Sequence, residues 1–237
     1  MVWIKLPVLL AAGICFHRSI TPPNPPPPRS ESSSYKDLWS QSWVAWGPVL
    51  TKALSWIVCL CEALTIYARN MEHSSPTAHQ LLLYLLKRPI QSTAIRITPS
   101  FLGSMILLIT CVSIRILCYR ALGRFFTFEL TIRPKHELVK TGPYAWVRHP
   151  GYTAMILGYI GSVLCAFGEG SWMRESGWLE TRAGKTFSLF YFVWYVHLAL
   201  GMVWRTGQED KMLEDRFGTE WQAWSRKVRY KLVPGFY

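Results

Sequence analysis

Charge is scarce in this chain and acidic charge is scarcer still. Only 17% of its 237 residues are charged, and 14 Asp and Glu stand against 26 Lys and Arg. A cysteine framework is absent too. Cys15, Cys59, Cys61, Cys111, Cys118 and Cys165 all lie in apolar runs, where a free thiol behaves as a small hydrophobe. Cys59 and Cys61, two apart on a helix, point in different directions, and Cys111 with Cys118 read as ordinary helix packing. There is no zinc-ligand spacing, no phosphate-binding glycine loop and no dinucleotide fingerprint, so no metal site is expected. The net charge of +12 does not point to nucleic acid either, because the basic residues fall in loops between apolar runs and not on one soluble face.

What the chain has in quantity is apolar surface. Half its residues are hydrophobic and twelve are Trp. A membrane span needs about 20 mainly apolar residues. Val44 to Ala68 qualifies although it carries Lys52 and Glu62, and Thr98 to Tyr119 qualifies despite Arg115. Phe187 to Trp204 has no charge except for a possible one on His197. Tyr152 to Phe167 is slightly short and is extended by Pro150 and Gly151. Trp39, Trp43, Trp46, Trp172, Trp178 and Trp204 fall near span ends, where aromatic belts form. These patterns predict an all-α, multi-span integral membrane helical bundle embedded in the lipid bilayer.

Three regions follow. Residues 1–43 hold an apolar N-terminal segment and a Pro/Ser-rich linker, 44–119 the first spans, and 120–237 the remainder. Met1 to Phe16 reads as either an uncleaved anchor or a signal segment, and both readings stand. Thr21 to Ser34 has the composition of an extended, solvated linker. The final Pro234-Gly235-Phe236-Tyr237 has no terminal Cys motif, so the chain is not expected to be a prenylation target.

Charge bias orients the spans. Arg120 to His149 carries six Lys or Arg against two acids, whereas Glu169 to Thr186 is balanced at three of each. Positive-inside bias places the first loop in the cytosol and the second on the far side. The last span then returns Arg205 and the tail to the cytosol. Arg69 to Ile97 disagrees, since alternation places it on the far side with four Lys or Arg and one Glu. Its Leu81-Leu82-Leu83-Tyr84-Leu85-Leu86 run is too short to span and suits an interfacial or re-entrant piece.

Two polar constellations flank the last spans. The first is Gly142-Pro143-Tyr144-Ala145-Trp146-Val147-Arg148-His149-Pro150-Gly151-Tyr152, set against the start of an apolar run. Pro150 suits a helix's first turn, and the N–H groups there, with Arg148 and His149 alongside, make an anion site. The second is Arg205-Thr206-Gly207-Gln208-Glu209-Asp210. Arg205 and Glu209 share a helix face at a spacing of four, which fits either an interfacial ion pair or two groups directed into one cavity. Leu213, Phe217, Trp221, Trp224 and Val228 then recur at steps of four, four, three and four, predicting an amphipathic C-terminal helix.

Taken together, His136-Glu137-Leu138-Val139 with Gly142 and Tyr144, then Arg148-His149-Pro150-x-Tyr152, then Arg205-x-x-x-Glu209 before Phe217-Gly218-x-x-Trp221, resemble the isoprenylcysteine carboxyl methyltransferase family. Phospholipid methyltransferases carry a related C-terminal half. The resemblance runs from about Phe125 to Val228. It implies a multi-pass protein of the endoplasmic reticulum membrane, with a cytosolic pocket for S-adenosyl-L-methionine. It implies that the substrates are prenylated protein C-termini bearing farnesyl- or geranylgeranyl-cysteine. On that resemblance His136, Glu137, Leu138, Val139, Tyr144, His149, Pro150, Gly151, Tyr152 and Glu209 contact the cofactor. Arg205 sits at the substrate carboxylate as the catalytic and substrate-binding residue. Departures are Glu129 in place of an expected glutamine, Gly151 in place of a usual serine, and Asp210 in place of a second glutamate.

The chemistry is consistent with that assignment. A C-terminal carboxylate has an unperturbed pKa of about 3.3–3.7, so it is ionised near neutrality and needs no general base. An amine acceptor, as in phospholipid methylation, would need deprotonation, and Arg205 would be a poor neighbour for it. Three readings therefore stand: a prenylcysteine carboxyl methyltransferase, a methyltransferase for phospholipid or another amphiphile, and a non-catalytic membrane homologue.

Overall fold

The structure is a computed structural model that describes residues 2–26, 38–72, 74–88, 94–131, 133 and 135–237, with no side chains described at 2 and 38–45. The linker expected over Thr21 to Ser34 lies partly outside those residues, as do the side chains of Trp39 and Trp43. The described residues are all-helical. The helices are α1 (Val2–Ser19), α2 (Leu38–Met71), α3 (Pro76–Leu85), α4 (Pro99–Leu122), α5 (Pro150–Phe167), α6 (Trp172–Glu175), α7 (Arg182–Phe217) and α8 (Thr219–Lys227). Among the described residues α2, α4, α5 and α7 are long and apolar enough to cross a membrane.

These four helices contain the four expected apolar runs. Outward-facing Ile57, Leu60 and Leu64 on α2, Leu102, Ile106 and Ile109 on α4, and Leu189, Phe192 and Leu200 on α7 are exposed. Apolar surface on that scale, on helices of this length, fits lipid-facing positions. At 36 residues, α7 is roughly 54 Å long at 1.5 Å per residue, against a hydrocarbon core of about 30 Å. It therefore continues well past the apolar run and carries Arg205, Glu209 and Asp210 within the same helix. The expected C-terminal stripe is not one helix. The chain breaks at Gly218, with φ +51° and ψ −119°, a geometry that side chains with a Cβ resist, and α8 begins at the next residue.

Two compact units divide the chain. The first comprises Met1–Arg18, Thr51–Ile109 and Gly158–Val196. Here Lys5 of α1 is buried against Glu62 of α2 at 2.6 Å and donates to the Gly170 carbonyl at 2.9 Å, while the Trp172 N–H donates to Glu62 at 2.8 Å. Gly161 lets α5 approach α4 closely, since a Cβ there would stand 3.0 Å from the Leu107 Cβ and 3.2 Å from the Ser104 carbonyl. The Leu81–Leu86 run falls largely in α3, which buries Ala78 and Leu82 against Ala68 and leaves Leu83 and Tyr84 outward. The Trp172 and Trp178 indoles both donate to the Leu85 carbonyl at 3.0 Å.

This unit also accounts for the loop whose charge opposed the topology. Arg88 pairs with Glu180 at 2.6 Å, and Arg96 pairs with Glu169. Two of the four cations of the 69–97 loop are therefore countered by acids of the 169–180 connection, which a count of charges per loop does not register.

The second unit comprises Ser19–Leu50, Thr110–Leu157 and His197–Tyr237. Trp221, Trp224 and Val228 are buried there, with Leu138, Tyr144, Leu213 and Phe217 packed against them. The periodic stripe thus survives the break at Gly218 as one apolar cluster. Lys140 anchors the outer face of α8 through Glu220 at 2.7 Å. Both polar constellations lie in this second unit.

Candidate functional site

Helix α5 begins at Pro150, as its missing N–H favours. The residues before it are held by the C-terminal tail. The Arg148 and His149 N–H groups donate to the Tyr230 and Lys231 carbonyls, each at 2.9 Å, and the Thr153 hydroxyl donates to the Leu232 carbonyl at 2.7 Å. The start of α5 is thereby fixed against the C-terminal tail and presented to α7.

Asp210 of α7 meets this start. Its carboxylate lies 2.9 Å from His149 Nε2, 3.3 Å from Arg148 Nη1 and 3.6 Å from Lys231 Nζ. His149 and Asp210 are both buried. The anion site expected beside Arg148 and His149 thus has an internal anion, supplied by a residue that the sequence pattern had marked only as a departure. One residue earlier, Glu209 accepts from the Tyr152 hydroxyl at 2.5 Å and stands 3.8 Å from His149 Nδ1. Its side chain remains 29% exposed, so it can still take a second partner. The Tyr152 ring stacks on His149 with centroids 5.6 Å apart and 14° between planes.

Arg205 lies one turn before Glu209. Its Nη2 donates to the Phe128 carbonyl, its guanidinium lies 6.0 Å from the Tyr152 ring, and its enclosed Nε has no hydrogen-bond partner. Gln208 Oε1 and the Trp221 and Trp224 indole N–H groups in the same unit are likewise enclosed without partners. Buried polar atoms left unmatched in this way are rare in a folded chain, and each calls for a partner or a role.

The 136–139 segment contributes unevenly. His136 stacks on Phe125 at 4.7 Å, lies 6.0 Å from Phe217, and has an enclosed Nδ1 without a partner. Burial holds its pKa below the ordinary value, with Arg216 and Arg133 acting in the same sense and Glu209 opposing them. Leu138 packs in the Trp221–Trp224 cluster and Val139 is half-buried, whereas Glu137 is exposed. Tyr144 is held in a short 3-10 turn (Gly142–Ala145), and burial raises its phenol pKa well above the usual value, reinforced by Cys118 and Glu209. Glu129 is half-buried, and its backbone carbonyl accepts from the Thr127 hydroxyl at 2.7 Å.

His149, Pro150, Gly151, Tyr152, Arg205 and Glu209 are therefore brought together by α5 and α7, with His136, Leu138 and Tyr144 in the same unit. Sequence reasoning missed Asp210 and Lys231 as members of the charge cluster, and Arg115 as well. Arg115 is 4% exposed inside α4, and its Nη1 would stand 3.5 Å from a Cβ at position 151. The available signal was a lone arginine within an apolar run, which is a functional flag in a membrane helix.

These features define a helical, multi-span membrane protein with an ion-paired polar site where two of its long helices meet. Residues 104–170 match the model of the isoprenylcysteine carboxyl methyltransferase (ICMT) family, so the resemblance read from the sequence over about Phe125 to Val228 is borne out as far as residue 170. It includes Arg115, His136, Tyr144, Arg148, His149 and Tyr152, and ends before Arg205, Glu209 and Asp210. The uncharacterized protein YpbQ of Bacillus subtilis (strain 168) is 38% identical over 56 residues, which cover 24% of this chain and 32% of that protein.

Proposed function

We propose that this chain is an S-adenosyl-L-methionine-dependent methyltransferase that esterifies the C-terminal carboxylate of prenylated cysteine in proteins. On this reading it works in the endoplasmic reticulum membrane with its site facing the cytosol. The observation that carries the proposal is the placement of Arg205 and Glu209 one turn apart on α7, both against Tyr152 at the start of α5, with Arg205 Nε enclosed and without a partner. The family match over residues 104–170 supports it.

The residues present fit the cofactor. Glu209 offers a half-open carboxylate to an ammonium group, and His136 Nδ1 and Gln208 Oε1 are enclosed atoms in need of partners. When bound, S-adenosyl-L-methionine supplies an electrophilic methyl group on a sulfonium sulfur. The chain's own contribution is positioning. The substrate carboxylate arrives ionised, so none of these residues must remove a proton. Arg205 is anchored by Nη2 to the Phe128 carbonyl and retains Nε for that carboxylate, enough to orient it without neutralising it through a full bidentate pair. Orientation of this kind can lower a barrier by up to about 7–11 kcal/mol. Tyr152 holds Glu209 in place and closes the floor between the two groups.

The test supplies labelled S-adenosyl-L-methionine to membranes containing the protein, with a farnesylated cysteine analogue or, separately, phosphatidylethanolamine. Label in a base-labile methyl ester is expected. Label in the lipid would instead assign a phospholipid acceptor, and label in neither would remove the catalytic reading.

A further inference from the structure

The direction of Arg205 is set by a loop. Its Nη2 donates to the Phe128 carbonyl, and its enclosed Nε has no hydrogen-bond partner. Phe128 lies outside any helix, in the connection that follows α4. A loop carbonyl is a fixed point only where something holds the loop, because connecting backbone is more mobile than the elements it joins. Here the hold comes from the segment just after α1.

That segment has the composition of a solvated linker, yet its described part is docked on the connection. A side-chain amide has two N–H donors, and Asn24 uses both. Its Nδ2 donates to the Gly123 carbonyl at 2.8 Å and to the Phe126 carbonyl at 2.9 Å. These carbonyls bracket a 3-10 turn (Gly123–Phe125), across which the Phe126 N–H donates to the Gly123 carbonyl at 3.3 Å. Arg133 Nη2 donates to the Pro25 carbonyl at 3.0 Å, tying the far side of the connection to the residue beside Asn24. Arg115 completes the hold. Its Nε donates to the Ser19 carbonyl at 3.0 Å, and its guanidinium lies 5.0 and 5.4 Å from the Phe126 and Phe128 ring centroids. Between the clamped Phe126 and Phe128 stands only Thr127, whose hydroxyl donates to the Glu129 carbonyl at 2.7 Å. All of these groups belong to the second compact unit.

We propose that Asn24 is a positioning residue for Arg205: by holding both ends of the Gly123–Phe126 turn it sets the Phe128 carbonyl, and through it the direction of Arg205 Nε. The assignment rests on the methyltransferase reading above, in which that nitrogen meets the substrate carboxylate. Asn24 itself touches no ligand in this scheme. Its effect is nonetheless large, because misplacing an orienting group by about 1 Å can cost on the order of 100-fold in rate. Aspartate has nearly the same shape as asparagine but no donor when ionised, so the exchange isolates the two hydrogen bonds.

The experiment compares the purified full-length chain with Asn24→Asp, Arg205→Ala and the double variant. Affinities are measured for S-adenosyl-L-methionine, for farnesylcysteine and for its C-terminal amide. Wild type is expected to favour farnesylcysteine over the amide, and Arg205→Ala to lose that preference. Asn24→Asp should lower the preference about tenfold while its affinities for the amide and for S-adenosyl-L-methionine stay at the wild-type values. The double variant should match Arg205→Ala alone, since the two residues act in series. An unchanged preference in Asn24→Asp, an equal loss of both farnesylcysteine forms, or a further loss in the double variant overturns the positioning role and leaves the methyltransferase reading intact. Equal affinities of wild type for the two forms would remove Arg205 as the carboxylate's partner, and the role of Asn24 with it. A wild-type chain that binds none of the three ligands overturns the methyltransferase reading as well. If Asn24→Asp does not fold, Asn24→Ala removes the donors without adding charge, with about a threefold fall in the same preference expected and no fall overturning the proposal.

Discussion

Individual residues carry the division of labour, and each can be removed separately. On the proposed function, Glu209→Gln removes the charge offered to the cofactor's ammonium and should weaken S-adenosyl-L-methionine binding about tenfold, read by calorimetry in detergent. Arg205→Ala should leave that affinity near the wild-type value while removing methyl transfer; equal loss of binding in both variants would mean that the two residues are not separate in function. Asp210 is a different case, because it neutralises a cluster more than it offers a surface. Asp210→Ala strips the carboxylate from Arg148, His149 and Lys231, and breaking a buried charge pair costs about 3–5 kcal/mol. That should appear as a large fall in the thermal midpoint. His136 adds a pH dependence whose sign is fixed by burial. Its folded pKa lies below the ordinary 6.5, so under acid conditions the unfolded chain binds a proton that the folded chain refuses. Its contribution to stability is therefore unchanged above the ordinary value and is lost as pH falls through it. Wild type should lose more thermal midpoint than His136→Phe between about pH 7.5 and 5.5, and parallel losses would contradict this.

Elements decide which of these residues meet. The four long helices and the start of α5 at Pro150 were legible in the sequence, because apolar run length and the chemistry of proline are local signals. The continuity of α7 was not. Arg205 to Asp210 is polar, and read alone it looks like a tail leaving the membrane, whereas the helix runs on to Phe217 before Gly218 breaks it. The same limit hid the ion pairs of Arg88 and Arg96, whose partners lie 92 and 73 residues away, and the role of Asp210, whose partner His149 lies 61 residues away. The break itself is testable. Gly218 has φ +51°, so Gly218→Ala should cost about 1–3 kcal/mol through backbone strain, seen as a lower thermal midpoint. A neutral outcome would mean that α7 and α8 tolerate another junction.

At the scale of the whole molecule, the proposed topology has an even number of crossings between the 120–149 loop and the tail, so the two polar constellations are expected on one side of the membrane. Cysteines introduced at Lys140 and Lys227, with exposed Cys15 replaced, should both be labelled by an impermeant reagent from the same side of sealed vesicles, and a cysteine at Lys185 from the other. On the proposed function, the site serves an acceptor that reaches it as an anion held at the membrane by an apolar chain. The most direct test of that claim is single-turnover methyl transfer by the purified protein, with farnesylcysteine and its C-terminal amide compared side by side. The account predicts a base-labile methyl ester from the free carboxylate and no transfer to the amide. Methylation of the amide at a comparable rate would contradict it.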